Sequence, residues 1–513
     1  MKTRNYYLLG AFGLLVIMMY LFTSQNRVID VEQHLKVAEK YEQDVSNNPD
    51  IAKIENDKLS VLVEISTGDI VEARLKEYLV ENAGGSLGVR VFGSDVSSGF
   101  EYYLKTGFLT SEGFSDFSVL SQYDEGLVLS NAEGYKKYIS FVNDGYEIEI
   151  TDVKPGASSS EAFASLYRTA GKSLDLKTDW LSGGMMNNAS FEGVGFSNEI
   201  ESYEAKRLSR LRENSISYDG QVGGWVGFIQ KYFLASLIGS DDGVYNYFAD
   251  RTSSGLYAMG YTTSSGSRTE QLLISEYTHR VFVGPKIRKD LMVRAENLEL
   301  SIDMGWFWFL AQPMIAAIDF INNIVGNWGF SILIFTVLLK LVLFPITGKG
   351  FKSMAQMRKA MPELKEIQDR YKNDRQKLGA ETLKVYRKHG ANPLGGCLPL
   401  LAQFPFFIAL FFGLREMVEL RYSPFVFWVQ DLSAPDPLFV LPALFGLIMV
   451  LTQKLNPQPP NMDPIQQNVM KVMPVMFSIF FVIFPSALAL YSVANGAFSL
   501  FQQRLLYKRL GAE

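Results

Sequence analysis

Hydrophobic and polar positions divide this chain of 513 residues into blocks with different periods. Apolar runs at 6–22, 328–346, 394–414, 438–454, 472–484 and 486–503 approach the roughly 20 residues a helix needs to cross a bilayer, which predicts six membrane spans. Between the first and second runs, residues 59–65, 126–130 and 138–150 alternate instead, with β-branched and aromatic positions divided by Gly, Asp and Asn. Two packed antiparallel sheets are the expected form of that block, with a hairpin turn at Asp144-Gly145. Residues 24–55 are polar and unpatterned and read as a linker. A helical period returns at 348–391, predicting a hairpin of 351–371 and 375–388 turned at Asn373-Asp374. Met354, Met357 and Met361 share one face of its first arm, at i, i+3 and i+7. Methionine there suits adaptable contact with varied apolar partners, or packing within the hairpin's own seam.

Charge orients these blocks. Residues 24–304 carry 27 Lys or Arg against 42 Asp or Glu, whereas the remainder from Gly305 carries 20 against 12. Twelve of those cations fall within 348–391, against five acids, which places that loop in the cytoplasm by the positive-inside rule. With six spans, Lys2 and Arg4 and the tail cations Arg504, Lys508 and Arg509 all fall on the same side, so both termini are predicted cytoplasmic and the acidic block translocated. The first run has no cleavage pattern after it and reads as an uncleaved anchor. Residues 305–321 are nearly long enough to span, but counting them would send the basic loop outside. They are therefore assigned to the outer membrane interface, with the aromatic cluster at headgroup depth.

Candidate chemistry starts from Lys340, a lysine inside the second run. An ionisable residue at that depth marks a functional site by default. Helix rise puts it roughly 18 Å from Trp328 and about 10 Å from Thr347. No other apolar run holds an interior Asp or Glu to pair with it, so either it snorkels or it lines a hydrated cavity. Thr336 shares its helix face, and Gln403 lies mid-span in the third run. In the last run Tyr491, Ser492, Asn495, Ser499 and Gln502 form one polar stripe, the mark of helix–helix glue or of a shared hydrated groove. Taken together with Lys340 and Gln403, the groove is the better account. Pro485 alone separates the fifth and sixth runs. The fifth is short enough to imply local thinning of the bilayer.

Other chemistries are excluded. The single cysteine, Cys397, allows neither a disulfide framework nor a cysteine zinc site, and His34, His279 and His389 have no metal spacing. No phosphate-binding loop is present, no cofactor is indicated, and the paired aspartates or Ser/His couple of an intramembrane protease are missing. A thinned bilayer and a wet, positive groove together lower the cost of carrying polar chain across the membrane. A secondary transporter for a small anion is the alternative, although no inverted repeat is visible.

Gly326-Asn-Trp-Gly-Phe-Ser331, Asn392-Pro-Leu-Gly-Gly-Cys-Leu-Pro399, Gln403-Phe-Pro405, Pro424-Phe-Val-Phe-Trp-Val-Gln-Asp-Leu-Ser433 with Asp436-Pro437, and Phe484-Pro-Ser486 resemble the YidC family of bacterial membrane protein insertases. Gly224-Trp-Val-Gly-Phe-Ile-Gln-Lys-Tyr-Phe233 and Phe282-Val-Gly-Pro-Lys286 extend the resemblance into the acidic block, which in Gram-negative members is a periplasmic β-sandwich. The resemblance implies a multi-pass α-helical membrane protein of the bacterial inner membrane, five of its six spans forming the insertase core. The implied boundaries are an anchor at 1–23, a periplasmic domain with its linker at 24–304 and an interfacial helix at 305–326. A second span at 327–347, a cytoplasmic hairpin at 348–391, the remaining spans at 392–507 and a tail at 508–513 follow. It also implies a groove open to cytoplasm and lipid, with its one positive side chain at Lys340, where many relatives carry arginine. Thr336, Gln403, Tyr491, Ser492 and Asn495 would line it, and Met354, Met357 and Met361 would meet substrate at the hairpin. Some relatives have two tyrosines where this chain has Tyr491-Ser492. Implied partners are nascent membrane proteins, the Sec translocon, the ribosome and signal recognition particle pathway and the lipid bilayer, with no DNA. The short tail beyond Gln503 weakens the expectation of ribosome contact.

Overall fold

The computed structural model describes residues 48–80, 88–94, 100–109, 115–143, 145–155, 160–169, 191–211, 215–263, 276–371, 374–392, 398–456 and 464–511. The anchor at 6–22, the polar stretch before residue 48, Asp144, Asn373 and Cys397 lie outside the described residues. Two compact units divide at residues 302 and 303, and each is treated by itself.

The first unit is a sandwich of two nine-stranded sheets in which every pairing between strands is antiparallel. One sheet contains β1 (Ile51–Glu55), β2 (Leu59–Glu64), β3 (Ile70–Leu79), β4 (Gly88–Phe92), β5 (Tyr102–Phe108), β10 (Ala162–Arg168), β13 (Ile216–Val222), β16 (Val244–Arg251) and β17 (Tyr257–Thr263). The other contains β6 (Ser118–Tyr123), β7 (Gly126–Ser130), β8 (Lys136–Phe141), β9 (Glu147–Val153), β11 (Gly193–Ser197), β12 (Glu204–Arg207), β14 (Trp225–Ile229), β15 (Phe233–Ile238) and β18 (Glu276–Pro285). The first runs β1-β2-β3-β5-β10-β17-β16-β13 with β4 beside β3, and the second β12-β11-β14-β15-β18-β9-β8-β7-β6. Strand β1 lies inside the stretch predicted to be a linker. Ala52 and Ile54 alternate with polar neighbours and are buried, a period too short to stand out in a polar surrounding.

The alternation of β8 turns Lys136, Tyr138 and Ser140 outward and Lys137 and Ile139 inward, which carries a lysine into the core. Asp152 of β9 is its cross-strand partner, with Nζ and Oδ1 2.8 Å apart and both side chains fully buried. Lys137 also donates to the carbonyl and hydroxyl of Thr106 in the opposite sheet, at 3.0 and 2.6 Å. His279 of β18 lies 3.4 Å from Asp152 on one side, and its Nδ1 meets the Tyr261 hydroxyl of the opposite sheet at 2.9 Å on the other. Both contacts tie one sheet to the other, and elsewhere between the sheets Tyr102 packs edge-on against Phe228 with ring centroids 5.5 Å apart. An isolated ion in such a core would be very costly, so pairing is what permits the cluster to be buried. Burial by itself would raise the Asp152 carboxyl, but Lys137 and His279 outweigh it and hold the group down at about 2.

The second unit is helical. Its elements are α1 (Trp308–Val325), α2 (Trp328–Arg370), α3 (Arg375–Lys388), α4 (Leu398–Glu416), α5 (Val440–Leu455), α6 (Pro464–Phe480) and α7 (Ser486–Arg509). The second predicted span and the first hairpin arm are one continuous helix of 43 residues, not two, since α2 runs through Pro345 and Pro362. Asn327 caps it by accepting from the Phe330 amide, and Gly329 sits under the Phe425 ring, where a Cβ would clash. Asp374 caps α3 in the same way, from the Lys377 amide. The start of α7 is closed by a loop: the amides of Ser486 and Ala487 donate to the carbonyls of Ala434 and Leu432.

Helix α1 buries Ala311, Met314, Ile315 and Ile318 and exposes Trp308, Phe309, Phe320 and Ile324, a stripe of period 3.6. By length and composition, α1 and α2 are both able to cross a membrane, and Val440–Leu455 and Val469–Ile483 are shorter apolar helices.

The His279 environment gives the sandwich a pH dependence. Burial holds the imidazole below its ordinary range, with Asp152 and Tyr261 in contact and Lys137 and Tyr277 nearby. The unfolded chain takes up a proton that the folded one refuses, so stability falls as pH drops below about 6.5 and is level above it. Asp152 acts in a different window: its contribution is present above the ordinary carboxylate value and is lost as pH falls toward about 2. Chemical unfolding of the full chain at a series of pH values is expected to show the first slope, and His279→Gln is expected to remove it.

Candidate functional site

Lys340 points from α2 toward α4 and α7 and is 2% exposed. Its Nζ donates to Gln403 Oε1 at 2.5 Å and to Ser499 Oγ at 2.7 Å. Gln403 then donates to the Tyr491 hydroxyl at 3.0 Å and to Asn495 Oδ1. The Ser499 hydroxyl in turn donates to the Asn495 carbonyl at 2.9 Å. Two turns further toward the basic end of α2, the Gln502 amide donates to Thr347 Oγ1 at 3.0 Å. Facing side chains from three helices thus form one hydrogen-bonded seam, which spacing along a single helix could suggest only for α7.

The partnership of Lys340 differs from the expectation that it is unpaired. Among the described residues no carboxylate pairs with it, as the sequence indicates, yet two neutral oxygens hold it. An ammonium has three N–H donors, so one remains uncommitted among the described residues. Gln403, Asn495 and Ser499 are half-buried and form the rim in front of the buried cation. Phe407 stacks on Tyr491 behind them.

Other predicted positions behave differently. Thr336 and Ser492 are buried, and each hydroxyl bonds back to the carbonyl four residues earlier, Ile332 at 2.6 Å and Leu488 at 2.8 Å. Neither side chain bonds into the seam, whereas Ser499 and Thr347 make the same back-bond and still accept from Lys340 and Gln502. Met354 and Met357 are buried. Met354 packs with Phe351, Ala355 and Tyr507 of α7, whereas Met361 packs on the Ala360, Leu364 and Val385 seam of the hairpin. The methionine face is covered in this conformation. Thr347 was missed by sequence reasoning although it pairs with a stripe residue. Its place on the Lys340 side of α2, seven residues on, is the signal that would have found it.

The fold and seam define a helical unit with two helices long and apolar enough to cross a membrane and a buried lysine held by amide and hydroxyl groups, with a β-sandwich ahead of it in the chain. Residues 51–317 match the family described as "YidC periplasmic domain", and residues 320–513 match "60Kd inner membrane protein". The chain is 34% identical over 488 residues to the membrane protein insertase YidC of Hahella chejuensis, covering 90% of this chain and 83% of that protein. It is 33% identical over 487 residues to the insertase of the same name from Actinobacillus succinogenes, covering 90% and 87%. A crystal structure of an active YidC insertase aligns over 89% of this chain and 92% of that one, at 19% identity and a TM-score of 0.40. The chain belongs to the YidC family. It is a membrane protein insertase of the inner membrane, and the anion-transporter alternative finds no support among these relatives.

The seam predicts its own perturbation. Gln403→Glu places a carboxylate against Lys340 and is expected to raise the unfolding temperature of the purified protein. Gln403→Leu removes a hydrogen bond to a charge and is expected to cost about 1.5–3 kcal/mol. Thermal unfolding in a fixed detergent reads both.

Proposed function

We propose that the α2–α4–α7 seam is the polar path by which this insertase lowers the cost of carrying hydrophilic chain into the membrane. Lys340 and its neutral shell carry the proposal. Hydrogen bonds from an ammonium to neutral acceptors are worth about 1.5–3 kcal/mol each, whereas breaking a buried ion pair costs about 3–5 kcal/mol. A substrate carboxylate or backbone carbonyl can therefore displace Gln403 or Ser499, and it would not so readily displace a native aspartate. Gln403, Tyr491 and Asn495 offer exchangeable amide and hydroxyl partners along the path, while Thr336 and Ser492, with their hydroxyls engaged, form its wall.

The drive comes from the substrate. Each Leu or Ile of an inserting helix contributes about −0.3 to −0.6 kcal/mol at mid-membrane, and a membrane potential contributes about 2.3 kcal/mol per charge per 100 mV. In this reading the anchor and five core spans make six, both termini are cytoplasmic, and α1 lies at the outer interface with its exposed aromatics among headgroups. Nascent membrane proteins reach the seam from the basic hairpin side, by way of the ribosome and signal recognition particle or beside the Sec translocon.

Lys340→Arg is expected to retain insertion, because the charge persists. Lys340→Ala and Lys340→Glu are expected to impair substrates with acidic translocated tails by about tenfold or more, the equivalent of one lost charged hydrogen bond. Insertion into liposomes holding only this protein reads the effect, and full activity of Lys340→Glu on such substrates would refute the path.

The methionines enter the same proposal as a second, earlier contact, Met361 uncovered when α3 lifts from α2 and Met354 when α2 parts from Tyr507 of α7. Replacing Met354, Met357 and Met361 by Ser is then expected to slow insertion of strongly apolar substrates. Hydrogen exchange over 351–371 and 375–388 separates lost capture from a melted hairpin: slow insertion with unchanged exchange supports capture, and unchanged insertion rejects it.

A further inference from the structure

The sandwich has four strands at the ends of its two sheet orders, β1, β13, β12 and β6, and each presents backbone groups that no neighbouring strand takes up among the described residues. Such edges are ordinarily guarded by charge or by irregular backbone, because they template pairing with other chains. β1 carries Lys53 and Glu55, paired at 2.9 Å. β12 carries Glu204, Lys206 and Arg207, the first two paired at 3.0 Å. β13 is interrupted between Tyr218 and Gln221, with Gly220 in left-handed backbone and Asp219 exposed.

β6 is different. Its sequence, Ser-Val-Leu-Ser-Gln-Tyr, holds no charge and no proline. Val119, Leu120 and Tyr123 are 41%, 59% and 67% exposed, in a strand whose other residues are also exposed or half-buried. Its one irregularity, between Val119 and Ser121, turns Leu120 out rather than hiding it. The far end is pinned: Gln122 donates to the Lys53 carbonyl at 2.9 Å, and the Asp124 carbonyl accepts from the Glu55 amide at 2.7 Å. Just before the strand the Phe117 amide donates to the Ser66 carbonyl at 3.1 Å, and between these ends the outer edge has no strand partner among the described residues. Exposed acids bracket it, Asp116 before and Asp124 and Glu125 in the turn after, with no cation between them.

We propose that β6 is a docking edge for an extended polypeptide segment with apolar side chains and basic flanks, which adds to the sheet as a further strand. The backbone supplies affinity, Val119, Leu120 and Tyr123 supply apolar contacts, and the bracketing acids select the flanks. The same acids argue against a second copy of this chain as occupant. A two-fold-related β6 would pair antiparallel and set Asp116 of each copy against the Asp124–Glu125 turn of the other, a like-charge opposition that disfavours association. For an insertase whose substrates pass segments of unfolded chain to this side, such an edge would hold an emerging segment before it folds. The inference does not depend on the Lys340 path, since no residue of that path lies in this unit.

The test uses the full chain in nanodiscs and a fluorescent nine-residue peptide, alternating Val and Thr between paired lysines, with a glutamate-flanked version as control. Anisotropy is expected to show the lysine-flanked peptide binding at least about tenfold tighter than the control, and Leu120→Lys or Val119→Lys weakening it by a similar factor with unchanged thermal unfolding. Hydrogen exchange at residues 118–123 is expected to be fast in the free protein and slowed by the peptide. Equal binding of the two peptides, unaltered binding by the lysine variants, slow exchange at β6 before peptide is added, or a dimer that dissolves on Leu120→Lys would each overturn the proposal.

Discussion

The membrane unit is organised by a cation that has no anion. Lys340 cannot be left bare at membrane depth, and no carboxylate is supplied, so the helices around it must bring oxygen dipoles instead. Gln403 is the pivot, since its carbonyl oxygen takes the ammonium while its amide nitrogen reaches Tyr491 and Asn495. One amide side chain thereby ties α4 to both α2 and α7. Because every partner is neutral, the shell satisfies the charge without neutralising it, and a positive site persists that another oxygen ligand can share.

The sandwich resolves the same problem the opposite way. Lys137 is as deeply buried as Lys340, but it faces Asp152 across a strand pair, with Thr106 and His279 filling the remaining valences. There the ion pair lies within one sheet, and the hydrogen bonds of Lys137 with Thr106 and of His279 with Tyr261 make a rigid tie to the other. A half-satisfied ammonium between helices gives an exchangeable one.

Continuity of α2 links the seam to the hairpin. The helix that places Lys340 goes on without a break to Phe351 and Met354, which pack on Tyr507 at the end of α7, the helix that supplies Ser499. Pro345 costs one backbone hydrogen bond but does not end the helix, and at Thr347 the side-chain hydroxyl bonds the Leu343 carbonyl at 3.0 Å. The hairpin arm and the cation are thus carried on one helix, with no loop between them.

Period and charge alone determined the division into an acidic β block and a basic helical half, the helical hairpin with its turn before Arg375, and the polar face of α7, because each is a local pattern repeated over many residues. They also marked Lys340 and the lack of an acid to pair with it. Strand β1 escaped because five alternating residues in a polar surrounding carry little signal, and the join of span to hairpin arm escaped because the apolar run gives way at Thr347-Gly-Lys-Gly350 to a basic pattern, which reads as an end although the helix passes through it. Only the tertiary structure decided that Lys340 meets Gln403 and Ser499, that Thr336 and Ser492 turn back on their own helices, that the methionines are covered, and that Lys137, Asp152 and His279 converge. Those outcomes depend on which faces of distant segments come together. A hydrogen bond spanning 63 or 159 residues of chain leaves no period in the sequence to be read.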